Sequence, residues 1–272
     1  MQFHSMDQHT SDTRLKGLRL SFALAACTAA LVACGGGGDG GDPNPPPPPV
    51  LVDPAVAMRG FWSGAVTSGP DAATRASAVV MPDGTSWVVL ESNTAATGVA
   101  KIPLTGTAVN ATDANFTGSG AYYRLVDGLR STVTTTGTAS TAGTFRGTAT
   151  VTGKAATAYN WTPTAGFTTA AVQSAATGTW NGTAGTGVLT LSWGISATGA
   201  VTGTSSTGCS YTGTVVPAAG TAVYNVNVSE DCQGTVKTLA GIATLAANRT
   251  ALRVVFTADA GASAGLFSLT KQ

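Results

Sequence analysis

The chain has 272 residues, a formal net charge of +1 and only 10% charged residues, whereas about a quarter of an average globular protein is charged. So few charges disfavour amphipathic helices, and the 35 glycines favour short strands joined by tight turns. The basic excess lies before residue 34, so the rest of the chain is neutral and offers no basic surface for nucleic acid.

Residues 14–33 have the pattern of a secretory signal peptide. The basic segment RLKGLR occupies residues 14–19, and the apolar segment LSFALAACTAALVA follows at residues 20–33. The apolar segment is shorter than the stretch of about 20 residues that a membrane-spanning helix needs. We therefore expect residues 1–33 to be a signal peptide that is removed on export.

The end of this segment resembles the lipobox of bacterial lipoproteins, with the sequence LVAC at Leu31–Cys34. The resemblance implies that Cys34 carries lipid and that this lipid anchors the protein in a membrane. Gly35, where an aspartate would signal inner-membrane retention, implies the outer membrane. Leu24–Cys27 is an alternative lipobox, and an ordinary cleaved signal or an uncleaved anchor are further alternatives.

The composition of the chain changes abruptly at residues 34–53. This change predicts a tether after the lipidated cysteine. The sequence GGGGDGGDPNPPPPP fills residues 35–49. Its glycine-rich part is typical of a flexible coil, and its proline run is typical of a stiffer polyproline II rod. Such a tether would hold the folded part away from the membrane.

From residue 54 onward, turn signals separate short runs rich in Val, Thr and aromatic residues, which is typical of an all-β meander, sandwich or barrel. The clearest hairpin joins residues 76–81 to 85–91 through Pro82–Gly84, since proline presets φ and glycine accepts a positive φ. In its second strand Trp87 and Val89 share one face, and we predict that both point into the core.

An internal repeat divides this β region in two. The sequence GFWSG at Gly60–Gly64 recurs as GTWNG at Gly178–Gly182, which predicts core positions for Trp62 and Trp180.

Eight sequential antiparallel strands can close into a small barrel and so remove both sheet edges. In the second half we place strands near residues 178–182, 187–194, 198–204, 208–215, 221–228, 236–246, 250–257 and 264–270. We predict two antiparallel barrel-like domains of about eight strands each, at 54–165 and 178–272, joined by a linker at 166–177. One continuous domain with a shared core is the alternative.

Two cysteines, Cys209 and Cys232, lie in the second half, each where a strand meets a turn. If the chain is exported, both lie outside the cytoplasm, where disulfides persist. We predict that they form a structural disulfide. Free thiols or a redox pair are the alternatives, although the spacing does not match the C-x-x-C redox motif.

These motifs resemble those of a recurrent group of uncharacterised proteobacterial outer-membrane lipoproteins with paired β-barrel-like domains. The resemblance covers about residues 55–272 and is clearest in the second half, at residues 178–182, 208–213, Pro217, 224–226, Cys232 and 241–243. More distantly, the layout resembles the barrel lobes of transferrin-binding-type surface lipoproteins. The shared residues are turn glycines, core aromatics and a cysteine pair, so the resemblance implies fold and location rather than an activity.

The sequence offers little catalytic chemistry. Both histidines, His4 and His9, precede the expected cleavage site, which removes histidine-dependent nucleophilic catalysis and most zinc sites. The acids are few and lie in turn-like contexts, as Asp71 and Asp127 do, where we expect solvated side chains. The pair Glu230–Asp231 is a weak calcium candidate. We therefore predict no catalytic residues, no metal and no cofactor.

Tyr122 and Tyr123 are the candidate binding residues. Adjacent strand residues point to opposite faces, so the side chain of one of the pair must point away from the core. That side chain could contact a ligand or partner. The sequence as a whole predicts a non-enzymatic, membrane-anchored lipoprotein with a binding or envelope-structural role and an unidentified protein or small-molecule partner. The alternatives are a lipocalin-like carrier of a small apolar ligand, which needs an open barrel mouth, and a hydrolase with two acids converging in one cleft.

Overall fold

A computed structural model describes residues 47–66, 70–93, 95–184 and 189–272. The predicted signal peptide, the lipidation site Cys34 and most of the predicted tether lie outside these residues. Within the described ranges, no helix is both long enough and apolar enough to cross a membrane.

The first half forms a closed antiparallel barrel of eight strands in sequential order. A short helix, α1, precedes it at Pro54–Met58, and a 3-10 turn at Pro70–Ala72 follows the first strand. The strands are β1 Gly60–Ala65, β2 Arg75–Val80, β3 Thr85–Glu91, β4 Ala96–Ala108, β5 Asp113–Arg124, β6 Arg130–Ser140, β7 Thr144–Val151 and β8 Thr157–Thr164. Strand β8 pairs with β1 and closes the barrel.

The second half repeats this architecture. Helix α2 at Gln173–Ala176 precedes β9 Gly178–Ala184, β10 Leu189–Ile195, β11 Ala200–Ser205, β12 Ser210–Pro217, β13 Val223–Cys232, β14 Thr235–Leu245, β15 Ala251–Ala258 and β16 Ser263–Lys271, with a 3-10 turn at Asp259–Gly261 before β16. Strand β16 pairs with β9 and closes this barrel too. The predicted fold class of two antiparallel eight-stranded barrels is confirmed, and each of the eight strands placed in the second half overlaps an observed strand.

The repeated tryptophans have the same role in both barrels. Trp62 and Trp180 are buried, as predicted. The Nε1 of Trp62 donates a hydrogen bond of 2.8 Å to the carbonyl of Met58, at the end of α1. The Nε1 of Trp180 donates one of 2.7 Å to the carbonyl of Ala176, at the end of α2. Each indole therefore binds the preceding helix to the first strand of its barrel and satisfies a carbonyl that the short helix leaves unpaired.

Each barrel has its own hydrophobic interior. A third apolar cluster lies outside the barrels and includes Trp87 and Val89 of β3 with Ile242 and Val255 of the second barrel. Trp87 and Val89 therefore point into a core, as predicted, but this core lies between the barrels and not inside one of them. Both are buried because the second barrel covers the outer face of β3, while Ser86, Val88 and Leu90 face inward.

The predicted disulfide is present between Cys209 and Cys232. It joins the residue before β12 to the last residue of β13, two strands that pair with each other. Cys209 is buried and belongs to the interior cluster of the second barrel. The bond therefore fixes one end of a hairpin in the wall of the barrel.

Removing the disulfide should destabilise the protein by about 3 kcal/mol, because the bond closes a loop with a sequence separation of 23 residues and so restricts the unfolded chain. The test is the free energy of unfolding by urea for a double variant, Cys209→Ala with Cys232→Ala, compared with the oxidised protein. Treating the wild-type protein with a reductant is the control and should give a similar loss. Unchanged stability in both experiments would contradict a structural role for the bond.

Candidate functional site

The interior of the first barrel contains a cavity of about 70 Å³. Its walls are almost entirely apolar and include aliphatic side chains from four strands, namely Val88, Leu90, Ile102, Leu104, Val133 and Val151. Small side chains at the inward positions Ser86, Ala100 and Ala149 leave the space open. The cavity therefore arises where the inward residues of the barrel are too small to meet across its axis.

Stacked aromatic rings form one side of the cavity. The ring of Phe145 lies 4.5 Å from Phe116 and 5.8 Å from Trp161, nearly parallel to the latter at 8°. Tyr159 stacks on Trp161 with a centroid distance of 4.5 Å. All four rings line the cavity and are buried. Trp161 thus packs against both Phe145 and Tyr159, which restricts the orientation of its indole.

The second barrel is packed differently. Trp180 and Trp193 are completely buried in its interior, and the Trp193 ring lies 5.8 Å from Tyr211 and 5.4 Å from Phe267. At one end of this barrel the Oη of Tyr211 donates a 2.6 Å hydrogen bond to Glu230. Large aromatic side chains thus meet at the centre of the second barrel, so the first barrel is the better candidate for a binding site.

Four charged or polar side chains meet at one end of the first barrel, which we call the mouth: Asp71, Tyr122, Arg124 and Lys154. They come from the turn after β1, the end of β5 and the turn after β7. In a barrel of sequential antiparallel strands these segments all lie at the same end. Tyr122 and Lys154 also line the cavity, and the Lys154 side chain is 48% exposed. The cavity therefore reaches solvent through this cluster.

Asp71 is the centre of the mouth cluster. Its carboxylate accepts a 2.5 Å hydrogen bond from the Oη of Tyr122 and one of 3.3 Å from Nη1 of Arg124. The Nζ of Lys154 lies 3.8 Å from the same carboxylate. Arg124 also forms an ion pair with Asp127. The two cations and two carboxylates balance, so the mouth is polar without net charge.

Burial raises the pKa of the Tyr122 phenol far above its ordinary value, and the hydrogen bond to Asp71 adds to this effect. Burial also raises the pKa of Tyr159, to about 12, against a smaller opposing effect of its hydrogen bond with Thr135. The hydrogen bond from Arg124 lowers the pKa of Asp127. Both phenols are therefore uncharged at neutral pH, and the cavity wall that they form remains neutral.

The structure separates the two candidate tyrosines as the strand alternation predicts. Tyr122 lines the cavity, whereas the Oη of Tyr123 donates a 2.7 Å hydrogen bond to the carbonyl of Gly261 in the second barrel. Tyr123 is thus covered by the other barrel. Contact of Tyr122 or Tyr123 with a ligand or partner molecule stays a prediction.

The acids occupy two kinds of site. Asp83, Asp127 and Asp231 each accept a hydrogen bond from a backbone N–H two or three residues later, as turn acids do. Asp71 was expected to be solvated like them, and this expectation is wrong: its side chain is only 13% exposed. Its hydrogen-bond partners lie 51 and 53 residues away in sequence, so no local pattern reveals them.

Three further residues of the site were not foreseen: Arg124, Lys154 and Trp161. Arg124 lies two residues after Tyr122 in the same strand, so the strand alternation would have placed both on one face. The sequence holds no comparable signal for Lys154, which lies in a turn.

Glu230 approaches Cys209 and Cys232, but the two sulfur atoms are bonded to each other, so no thiolate is present to bind a metal there.

Comparison of the sequence with protein-family models and with curated proteins finds no match. The resemblance to outer-membrane lipoproteins therefore stays a prediction.

We expect stability to fall as the pH rises above about 10, the ordinary pKa of tyrosine. The unfolded chain releases the protons of Tyr122 and Tyr159 near that pH, whereas the folded protein retains them, so protonation favours the folded state and its loss favours unfolding. The test is urea unfolding at a series of pH values from neutral to about 12. The variant Tyr159→Phe should show a shallower decline, and equal stability across this range would contradict the assignment.

Proposed function

We propose that this protein is a membrane-anchored lipoprotein of the bacterial outer membrane whose first barrel binds a small apolar ligand without catalysing a reaction on it. The observation that carries the proposal is the apolar cavity of the first barrel. An envelope-structural role requires no such cavity, so the cavity favours a binding role. Its position within a barrel, open at one end, supports the lipocalin-like form of that role.

The shape of the first barrel supports a site with one entrance. Helix α1 packs against β4, β5 and β6 at the end opposite the mouth, where its buried Met58 lies near Gly106. At the mouth, the lining includes the exposed Ala155 and the half-exposed Lys154. A ligand would therefore enter past the Asp71 cluster, and its path would end at the side chains next to α1, at the opposite end of the barrel.

The carboxylates favour binding over hydrolysis. A hydrolase that uses two acids needs both of them free to exchange protons with a substrate in one cleft. Asp71 and Asp127 are the two acids at the mouth, and both are held by Arg124. Each is thus occupied as an ion-pair partner, which supports a non-enzymatic role for the first barrel.

Filling the cavity should weaken binding of a small hydrocarbon. The variant Ala149→Leu places a larger aliphatic side chain in the wall, and we expect it to weaken binding of propene at least about tenfold, because little of the 70 Å³ remains. Binding can be measured by headspace gas chromatography as depletion of the free alkene by the protein.

The matched control is Ala158→Leu, the same substitution at an exposed residue of the neighbouring strand β8. It should bind the alkene like the wild-type protein. If the wild-type protein does not bind the alkene, or if both variants bind it equally well, the proposed ligand site is wrong.

The anchor is tested separately by intact mass spectrometry of the protein extracted from membranes. We expect a lipidated chain that begins at Cys34, and the variant Cys34→Ala should lose the lipid and leave the membrane fraction. An unlipidated chain that begins elsewhere would overturn the anchor and leave the ligand site unaffected.

A further inference from the structure

The hydroxyl of Ser86 is an unpartnered polar group in the wall of the cavity. Ser86 lies on the inward face of β3, lines the cavity and is only 3% exposed. Within the described part of the chain its hydroxyl forms no hydrogen bond, yet its oxygen is not fully enclosed, so the surface that it keeps faces the cavity. A buried hydroxyl without a partner is costly, so a hydrogen-bonding group in the adjacent space would stabilise the structure.

Three other hydroxyls that line the cavity already donate their protons within the protein. The hydroxyl of Thr135 donates to the carbonyl of Thr148 at 3.1 Å, so in its 2.7 Å contact with Tyr159 the phenol is the donor. The Oη of Tyr122 donates to the carboxylate of Asp71 at 2.5 Å. None of these three protons is therefore free for a ligand.

The remaining polar groups of the wall are not available either. Thr157 has a partner of its own. The Nε1 of Trp161 is fully enclosed, so a ligand in the cavity cannot reach it. The Nζ of Lys154 lies at the mouth, 3.8 Å from the carboxylate of Asp71. Among the described residues that line the cavity, Ser86 is therefore the donor that a ligand can both reach and use.

Ser86 lies far from the charges of the mouth. It is the second residue of β3, and Glu91, at the mouth end of the same strand, follows five residues later, which corresponds to about 17 Å. Among the described lining residues, the only charged one is Lys154, at the mouth. A charged group next to Ser86 would be buried without a counterion, which is strongly unfavourable. The part of a ligand that reaches Ser86 is therefore neutral.

The volume of the cavity limits the size of the ligand. An engineered protein cavity of about 150 Å³ holds benzene, which has six non-hydrogen atoms. The cavity of the first barrel, at about 70 Å³, is about half as large. It therefore accommodates about three or four non-hydrogen atoms.

We propose that the ligand is a small neutral carbonyl compound or ether whose oxygen accepts a hydrogen bond from the Oγ of Ser86. This proposal rests on the proposed binding function and adds to it the chemical class of the ligand and its orientation. The oxygen enters first and lies against the deep end of β3. The hydrocarbon part lies on the mouth side, against Val88 and Leu90, which follow Ser86 on the inward face of the strand.

The test compares two probes of nearly the same shape, acetone and 2-methylpropene, which differ in having C=O or C=CH₂ at one position. Their affinities for the full chain can be measured by titration followed through the ¹H–¹⁵N NMR signals of the protein. In Ser86→Ala we expect acetone to bind about tenfold more weakly, because the bound carbonyl loses its hydrogen bond. The affinity for 2-methylpropene should not fall, because alanine makes the wall more apolar. Comparing each probe between the two proteins cancels the stronger hydration of acetone in water.

The matched control is Ser119→Ala, the same substitution at an exposed residue of β5 in the same barrel. It should leave the affinities for both probes unchanged. The stability of the ligand-free protein is a second measurement: Ser86→Ala should unfold at a higher urea concentration than the wild-type protein, because it removes an unpartnered buried hydroxyl. A lower midpoint would show that the hydroxyl has a partner within the protein, and would overturn the inference.

The outcomes separate the two proposals. If Ser86→Ala changes the affinities for acetone and 2-methylpropene by the same factor, or if the wild-type protein binds propene but not acetone, the ligand class is wrong and the apolar site stays in place. If the wild-type protein binds neither propene nor the two probes, the proposed function itself is wrong.

Discussion

Closure of each eight-stranded sheet is the constraint on which the rest of the molecule depends. The closing seam of the first barrel is short: β1 and β8 pair over three residues, with one further bridge from Val66 to Tyr159. In the second barrel, β9 and β16 pair over five residues. Closure removes the sheet edges and creates an interior just wide enough for side chains to fill. At this width, a few inward residues decide whether a barrel is solid or hollow.

The packing of the two barrels against each other explains why both faces of β3 are buried. Its outer face contributes Trp87 and Val89 to the apolar cluster between the barrels, and Arg253 of the second barrel binds Glu91 at its end with a 2.5 Å hydrogen bond. A strand buried on both faces carries a nearly continuous apolar run rather than an alternating pattern. The sequence thus predicts that this strand is buried, but cannot show which of its faces lies inside the barrel.

The fold was more predictable than the site for a physical reason. Strands, the Pro82–Gly84 turn and the Cys209–Cys232 pair depend on local signals or on neighbouring strands, and those predictions are confirmed. The mouth depends on the closing of the whole barrel, because it brings Asp71 within 2.5 Å of Tyr122 over 51 residues of sequence. Only the strand order and register of the closed sheet place these two residues together.

The corresponding ends of the two barrels show how one scaffold can serve two purposes. In the first barrel, β5 ends at the ionic cluster around Asp71, through which the cavity reaches solvent. In the second, the equivalent strand β13 ends at Cys232, whose disulfide holds it to β12. Large aromatic side chains occupy the interior behind that bond, so the unpartnered Trp193 is only a cost to stability. In the first barrel the corresponding interior is a cavity, which is the binding site that we propose.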